Sequence, residues 1–243
     1  MSDFSFRRHE KKYLITEQQK KALLDAIVDH MRPDAFCPDG KSYLIRSVYY
    51  DTDDNHLIRL SIQKPTYKEK LRVRKYGRYQ DGRNDCFLEL KKKTAGIVTK
   101  RRIACTLDEA TNFIEKGVVP IREDYEEKQI IAELKYFLSC YRVKAKTMVV
   151  TDRVAYYDKD NPDFRLTFDT NLFGRRQALE FDVESSLGRL VPEGMVVMEL
   201  KVVEAVPLWF ARLLSNLQIY PSSFSKYGAE YRQYILEGES HHV

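Results

Sequence analysis

Between Lys68 and Lys93 the chain twice alternates ionic and apolar residues with a period of two. In Lys68-Glu69-Lys70-Leu71-Arg72-Val73-Arg74-Lys75-Tyr76, extended backbone puts Lys68, Lys70, Arg72, Arg74 and Tyr76 on one face, with Leu71 and Val73 opposite. In Phe87-Leu88-Glu89-Leu90-Lys91-Lys92-Lys93, the same rule sends Phe87, Glu89, Lys91 and Lys93 one way and Leu88 and Leu90 the other. A turn over Gln80-Asp81-Gly82-Arg83-Asn84-Asp85 separates the two strands. Thr94-Ala95-Gly96 then leads into a third basic strand, Ile97-Val98-Thr99-Lys100-Arg101-Arg102-Ile103. A solvated hairpin face accounts for any one of these strands. It does not account for the same pattern recurring over most of the chain.

The remaining elements follow from period and punctuation. Phe4 to Ile15 reads as a strand with Arg8, Glu10 and Lys12 on one face. Thr16 caps a helix over Glu17 to Met31, with Leu23, Ile27 and Met31 on its stripe and Pro33 as its stop. Ser42 to Asp51 is a β-like run that closes in an Asp/Thr/Asn turn cluster, followed by a short segment carrying Arg59. Thr106 caps a helix ending at Gly117, and a longer helix, Glu123 to Tyr141, buries Ile130, Leu134, Phe137, Leu138 and Tyr141. Strands are expected at Lys146 to Tyr157, Phe164 to Thr170, Gly174 to Val183 and Met195 to Val203. Pro207 opens a helix through Leu217, and a final helix ends near Gly238.

Composition narrows the class. A 43% hydrophobic share with 16 Tyr and 12 Phe among 243 residues is enough for a sizeable core, and no shift in composition marks a seam, so residues 1–243 are read as one domain. The net charge is only +5, with 41 basic residues set among 36 acidic ones, so their clustering matters more than their sum. Cys37, Cys86, Cys105 and Cys140 lack C-x-x-C spacing, which argues against zinc or a disulfide framework and for a reduced, cytoplasmic setting. No window has the length of a signal peptide's apolar run or a membrane span. The basic residues are threaded through Glu-containing strands and form no arm or recognition helix, which weighs against nucleic acid.

An α+β architecture reconciles these patterns: an antiparallel sheet closed into a barrel, its apolar faces against the helices and its Lys, Arg and Glu pointing inward. Like charges held inside need a polyanion, metal ions or water, because burying an unpaired charge costs several kcal/mol. Lysine and arginine suit phosphate oxygens, and scattered glutamates suit the hard divalent cations that accompany phosphates.

Several segments match a known family in order: Arg8-x-Glu10-x-Lys12-Tyr13, Ser47-Val48-Tyr49-Tyr50-Asp51-Thr52, Arg59, Lys70-Leu71-Arg72-Val73-Arg74-Lys75-Tyr76, Phe87-Leu88-Glu89-Leu90-Lys91, Lys100-Arg101, Asp152-Arg153, Arg165-Leu166-Thr167-Phe168-Asp169, Met198-Glu199-Leu200-Lys201 and Ser225-Lys226-Tyr227. On these residues the chain resembles the polyphosphate polymerase domain of the vacuolar transporter chaperone (VTC) family, a branch of the CYTH or triphosphate tunnel metalloenzyme superfamily. The resemblance implies a closed β-barrel tunnel braced by helices that moves the γ-phosphate of ATP onto a growing inorganic polyphosphate chain, with Mn2+ or Mg2+. It implies that Lys12, Arg72, Arg74, Lys91, Lys100, Arg153, Arg165 and Lys226 act on the phosphates, that Arg8, Arg59 and Lys201 add substrate contacts, and that Glu199 holds the metal with Glu10 and Glu89. The superfamily signature E-x-E-x-K has Arg8 at its first Glu position here, which favours the polymerase branch over triphosphate hydrolases. Arg59 lies farther ahead of Arg72 than the family pattern has it. Tyr13, Tyr49, Tyr50 and Tyr76 are read as packing, His9 and His56 as having no catalytic role, and Asp51 and Thr52 as shaping a turn. Two other readings stay open: a hydrolase of tripolyphosphate or nucleoside triphosphates, and a module that only binds polyphosphate or inositol phosphates. Any membrane link would come from a separate partner chain.

Overall fold

A computed structural model describes residues 9–77, 85–183, 185, 187–203 and 205–240. Alternation builds one antiparallel sheet of ten strands. Its main path runs β1 (His9–Thr16), β10 (Met195–Val202), β8 (Arg165–Arg175), β7 (Lys144–Asp158), β3 (Tyr43–Asp51), β4 (Tyr67–Tyr76), β5 (Asp85–Thr94) and β6 (Ile97–Thr106). The short strands β2 (Met31–Pro33) and β9 (Gly188–Arg189) pair with β7 and β8.

Among the described residues, helices cover the sheet on both sides. Leu71, Val73, Leu88, Leu90 and Ile103 pack under α3 (Leu107–Lys116) and α4 (Tyr125–Cys140), against Phe113, Leu134 and Phe137. Tyr13, Leu166, Phe168, Met198 and Leu200 pack under α1 (Glu17–Ile27) and α5 (Leu208–Asn216), against Leu23, Phe210 and Leu214. The third cluster lies on the other side of the sheet, where Tyr49, Val149, Leu172 and Val197 meet Ile58 of α2 (His56–Ile62) and Tyr227 and Tyr231 of α6 (Lys226–Ser240). Asn171, at φ 49°, makes Leu172 reachable from that side: the β7/β8 register shifts nearby, and the next residue turns inward. The inner face is therefore ionic along most of its length and apolar where α2 and α6 close it. Asp51 ties this closure together, accepting from the Leu57 and Ile58 N–H groups at 2.8 and 2.9 Å and from the Tyr227 hydroxyl at 2.9 Å.

Three expectations need correction. Among the described residues the backbone ladder is not closed, because β1 and β6 do not pair; at Lys12 the edge of β1 is taken by the segment before α6, with Ser222 N–H donating to the Lys12 carbonyl at 2.7 Å. The first helix stops at Ile27, and Met31–Pro33 forms β2 because an extended partner is offered by Tyr156 to Asp158. The expected strand from Gly174 to Val183 ends at Arg175, whose guanidinium is occupied by the carbonyls of Glu180, Val183 and Ser185 and so gathers the following loop. Phe4 to Arg8 and the turn residues Gln80 to Asn84 lie outside the described residues. Thr106 and Gly117 begin and end α3 as the sequence indicates, through a capping box and a left-handed glycine at φ 69°. No helix among the described residues is long and apolar enough to cross a membrane.

Candidate functional site

Because β4, β5, β6, β7, β8, β10 and β1 all turn their alternate ionic positions to the inner face, their charges meet there. Glu89 of β5 is fully buried and grips Arg72 of β4, Oε2 lying 2.6 Å from Nη2 and 2.7 Å from Nε. Arg72 Nη1 also donates to the Tyr49 hydroxyl at 3.2 Å, Arg74 Nε donates to Ser47 Oγ at 3.0 Å, and Lys100 Nζ stands 3.7 Å from Glu89. Arg102 lies over the Phe87 ring at 4.8 Å. Neighbouring positions go outward as the two-residue period requires: Lys92 and Arg101 both reach Glu133 of α4 at 3.0 Å.

A second cluster joins the two ends of the sheet. Lys91 of β5 donates to Glu10 of β1 at 3.0 Å, Glu10 lies 3.3 Å from Lys12, Lys12 lies 4.0 Å from Glu199 of β10, and Glu199 lies 3.1 Å from Lys201. A third gathers β7, β8 and α6, where Arg153 and Lys226 converge on buried Asp169. Lys70 links the inner face to the same helix, donating to Ser225 Oγ at 2.9 Å, while Ser225 Oγ accepts from Gly228 N–H.

The field of this interior sets its protonation. Burial opposes ionisation of Glu89, yet Arg72, Arg74 and Lys100 hold its carboxyl at about 2. Burial likewise opposes charge on Glu199, and Lys201, Lys12 and Arg153 overcome it to keep that carboxyl well below its usual range. Burial would raise the Tyr49 phenol, but Arg72, Arg74, Lys226 and Lys70 draw it down to about 7. The lysines feel the converse: burial, aided by Lys12, Lys91 and Lys68, lowers Lys70 to about 7, and burial lowers Lys100 and Lys226 to about 8 against the pull of Glu89 and Asp169.

Of the residues singled out from sequence, Lys12, Arg72, Arg74, Lys91, Lys100, Arg153, Lys201, Lys226, Glu10, Glu89 and Glu199 come together in these clusters. Arg165 shares the inner alternation of β8 and is opposite Lys201 in the ladder, but it is exposed and donates to the Pro162 carbonyl at 3.1 Å. Arg59 is on the exposed side of α2, 3.4 Å from Asp54, and joins none of them. Arg8 lies outside the described residues. Lys70, Tyr49 and Asp169 were not singled out as site residues. Lys70 and Asp169 were visible as alternation partners of Arg72 and Thr167; the Tyr49 signal, an aromatic in an apolar run, pointed to packing.

Among the described residues no group of three or more His, Cys, Asp or Glu is placed to hold a metal ion. Burial and the Glu199 charge work against ionisation of Glu10, but Lys91, Lys12 and Lys201 hold its carboxyl below the usual range, as Lys201, Lys12 and Arg153 do for Glu199; both are thus ionised oxygen donors of the kind hard divalent cations take one or two of, completing their shell with phosphate oxygens and water. Glu89 is committed to Arg72 and Lys100.

Known proteins carry the same architecture. A crystallised protein of Bacillus halodurans, described as a candidate adenylate cyclase, superposes with a TM-score of 0.51 at 16% identity, over 90% of this chain and 95% of its own. A second of that description, from Vibrio parahaemolyticus, gives 0.52 at 12% identity, over 92% and 97%. Among curated protein sequences none matches. The family of the VTC domain matches residues 7–235, a span that takes in every cluster described above, and the chain therefore belongs to the VTC domain family.

Proposed function

We propose that this chain is a single-domain polyphosphate polymerase that transfers the γ-phosphate of ATP to the end of an inorganic polyphosphate chain. One observation carries the reading: in a VTC domain, lysines and arginines from strands across the whole sheet converge on one curled inner face. Arg72, Arg74, Lys100, Arg153 and Lys226 would bind and align the phosphates, with Lys12, Lys91 and Lys201 around them and Arg165 at the exposed end. An acceptor phosphate oxygen attacks the γ-phosphorus, the bond to the β–γ bridging oxygen breaks, and ADP leaves with the electron pair. The cationic ring stabilises charge on the transferred group. Mn2+ or Mg2+, held by Glu199 and Glu10, would add charge neutralisation at the phosphates. Cysteines held outside any disulfide suit a cytoplasmic setting.

Purified protein incubated with ATP and Mn2+ or Mg2+ should yield ADP and long polyphosphate, resolved on a gel. Orthophosphate alone would replace the polymerase with a hydrolase, and tight polyphosphate binding without turnover would leave a binding module.

A further inference from the structure

Asp169 touches two of the proposed phosphate-binding cations at once. Arg153 and Asp169 are directly opposite in the β7/β8 ladder, and the carboxylate takes Arg153 Nε and Nη2 at 2.7 Å each. Its Oδ2 also lies 2.6 Å from Nζ of Lys226, the first residue of α6. The carboxylate is fully buried. A bidentate grip on Nε and Nη2 fixes the guanidinium plane and leaves Nη1 for an incoming acceptor. The ammonium, pinned on one side, keeps two of its three N–H groups for another oxygen.

We propose that Asp169 is the positioning residue that aims Arg153 and Lys226 at a shared phosphate. This rests on reading the interior as a phosphate site. Burial is a serious cost for Lys226, and the groups facing it are Asp169 from β8, Arg153 from β7, Arg74 from β4 and Tyr49 from β3. Of these, Arg153 and Arg74 disfavour its charge and Asp169 supports it. Removing the Asp169 charge therefore frees the Arg153 plane and makes Lys226 shed its proton at lower pH.

Calorimetry with inorganic tripolyphosphate at pH 6.5 and 8.5, run on wild type, Asp169→Asn and Asp169→Glu alongside ATP turnover, tests the assignment. D169N should bind about tenfold or more weakly at pH 8.5, with a smaller loss at pH 6.5, where Lys226 regains its proton. D169E keeps the charge but shifts it by one methylene. It should weaken binding severalfold and leave the pH dependence as in wild type. Wild-type affinity and pH dependence in D169N overturn the role, and if D169N does not fold, wild-type affinity in D169E does so. If wild type makes no polyphosphate while the variants still show these binding losses, the polymerase reading fails and the role of Asp169 stands. Wild type that binds no tripolyphosphate overturns both.

Discussion

Lys91 and Glu10 form an ion pair at 3.0 Å although they belong to opposite ends of the sheet, Lys91 on the strand beside β6 and Glu10 on β1. Side chains reach across where backbone does not, so the sheet curls far enough to enclose its inner face without a closed ladder. A double-mutant cycle with Glu10→Gln and Lys91→Met tests this contact. Urea unfolding should give a coupling energy of about 0.5–3 kcal/mol. Losses that add within ~0.3 kcal/mol would mean the two ends of the sheet do not meet in solution.

Glu89 is the hinge of the Arg72 cluster, and its removal leaves a buried guanidinium short of its counter-ion. Glu89→Gln should cost roughly 3 kcal/mol in urea unfolding at pH 7. The sign with pH is fixed by the direction of the shift. Because the folded carboxyl sits at about 2 against an ordinary 4.5, its contribution is complete above 4.5 and is lost as pH falls toward 2. The penalty of E89Q should therefore shrink between pH 5 and about 2.5, and a penalty constant over that range would contradict the ion pair.

How much of this was legible in sequence depends on the range of the interaction. The inner positions of β4 and β5 were readable because side-chain direction in a strand follows a period of two, and Lys92, flanked by Lys91 and Lys93, obeyed it by turning to Glu133. The alternation fails at Asn171, where a positive φ shifts the register, and nothing local announces that Leu172 will face inward. Met31 continues the apolar stripe of α1, so periodicity alone carries the helix that far, while the partner that makes Met31 part of a strand lies at Asp158. The family resemblance alone assigns Glu199, Glu10 and Glu89 to a metal. That Glu89 belongs to Arg72 and Lys100 depends on three strands meeting, which no single segment encodes.

The cysteines give an independent check on packing. Cys86 and Cys105 are directly opposite on β5 and β6 with sulfurs 3.6 Å apart, and both are buried, as is Cys37; Cys140, at the end of α4, is exposed. The hydrogen bond with the Cys105 sulfur, and then burial, push the Cys86 thiol up, so it is a poor nucleophile as well as a covered one. An aromatic disulfide reagent should label one thiol rapidly in the native protein and all four in denaturant. Cys140→Ser should abolish the fast phase; a second fast phase that Cys86→Ser or Cys105→Ser removes would show that the β5/β6 face opens.

Proton linkage separates the fold from its ligand. Lys70 at about 7 and Lys100 and Lys226 at about 8 lie far below an ordinary lysine at 10.5, and Tyr49 at about 7 lies below an ordinary phenol at 10.0. For these four groups the unfolded chain holds more protons than the fold above about pH 7, and the ligand-free protein should gain stability as pH rises from about 7 to 8.5, below the range where the raised thiol of Cys86 and the raised phenols of Tyr43 and Tyr50 count the other way. Affinity for a polyanion should move the opposite way, since the same rise strips positive charge from the interior. At pH 8, tripolyphosphate should pull protons back onto these lysines, seen in calorimetry as a binding heat that varies with the ionisation enthalpy of the buffer. Lys70→Met should reduce that uptake, and comparing it with wild type cancels protons carried by the ligand itself. Equal uptake by the two proteins would remove Lys70 from the ligand's surroundings. Affinity rising with pH would reverse the sign of the interior field.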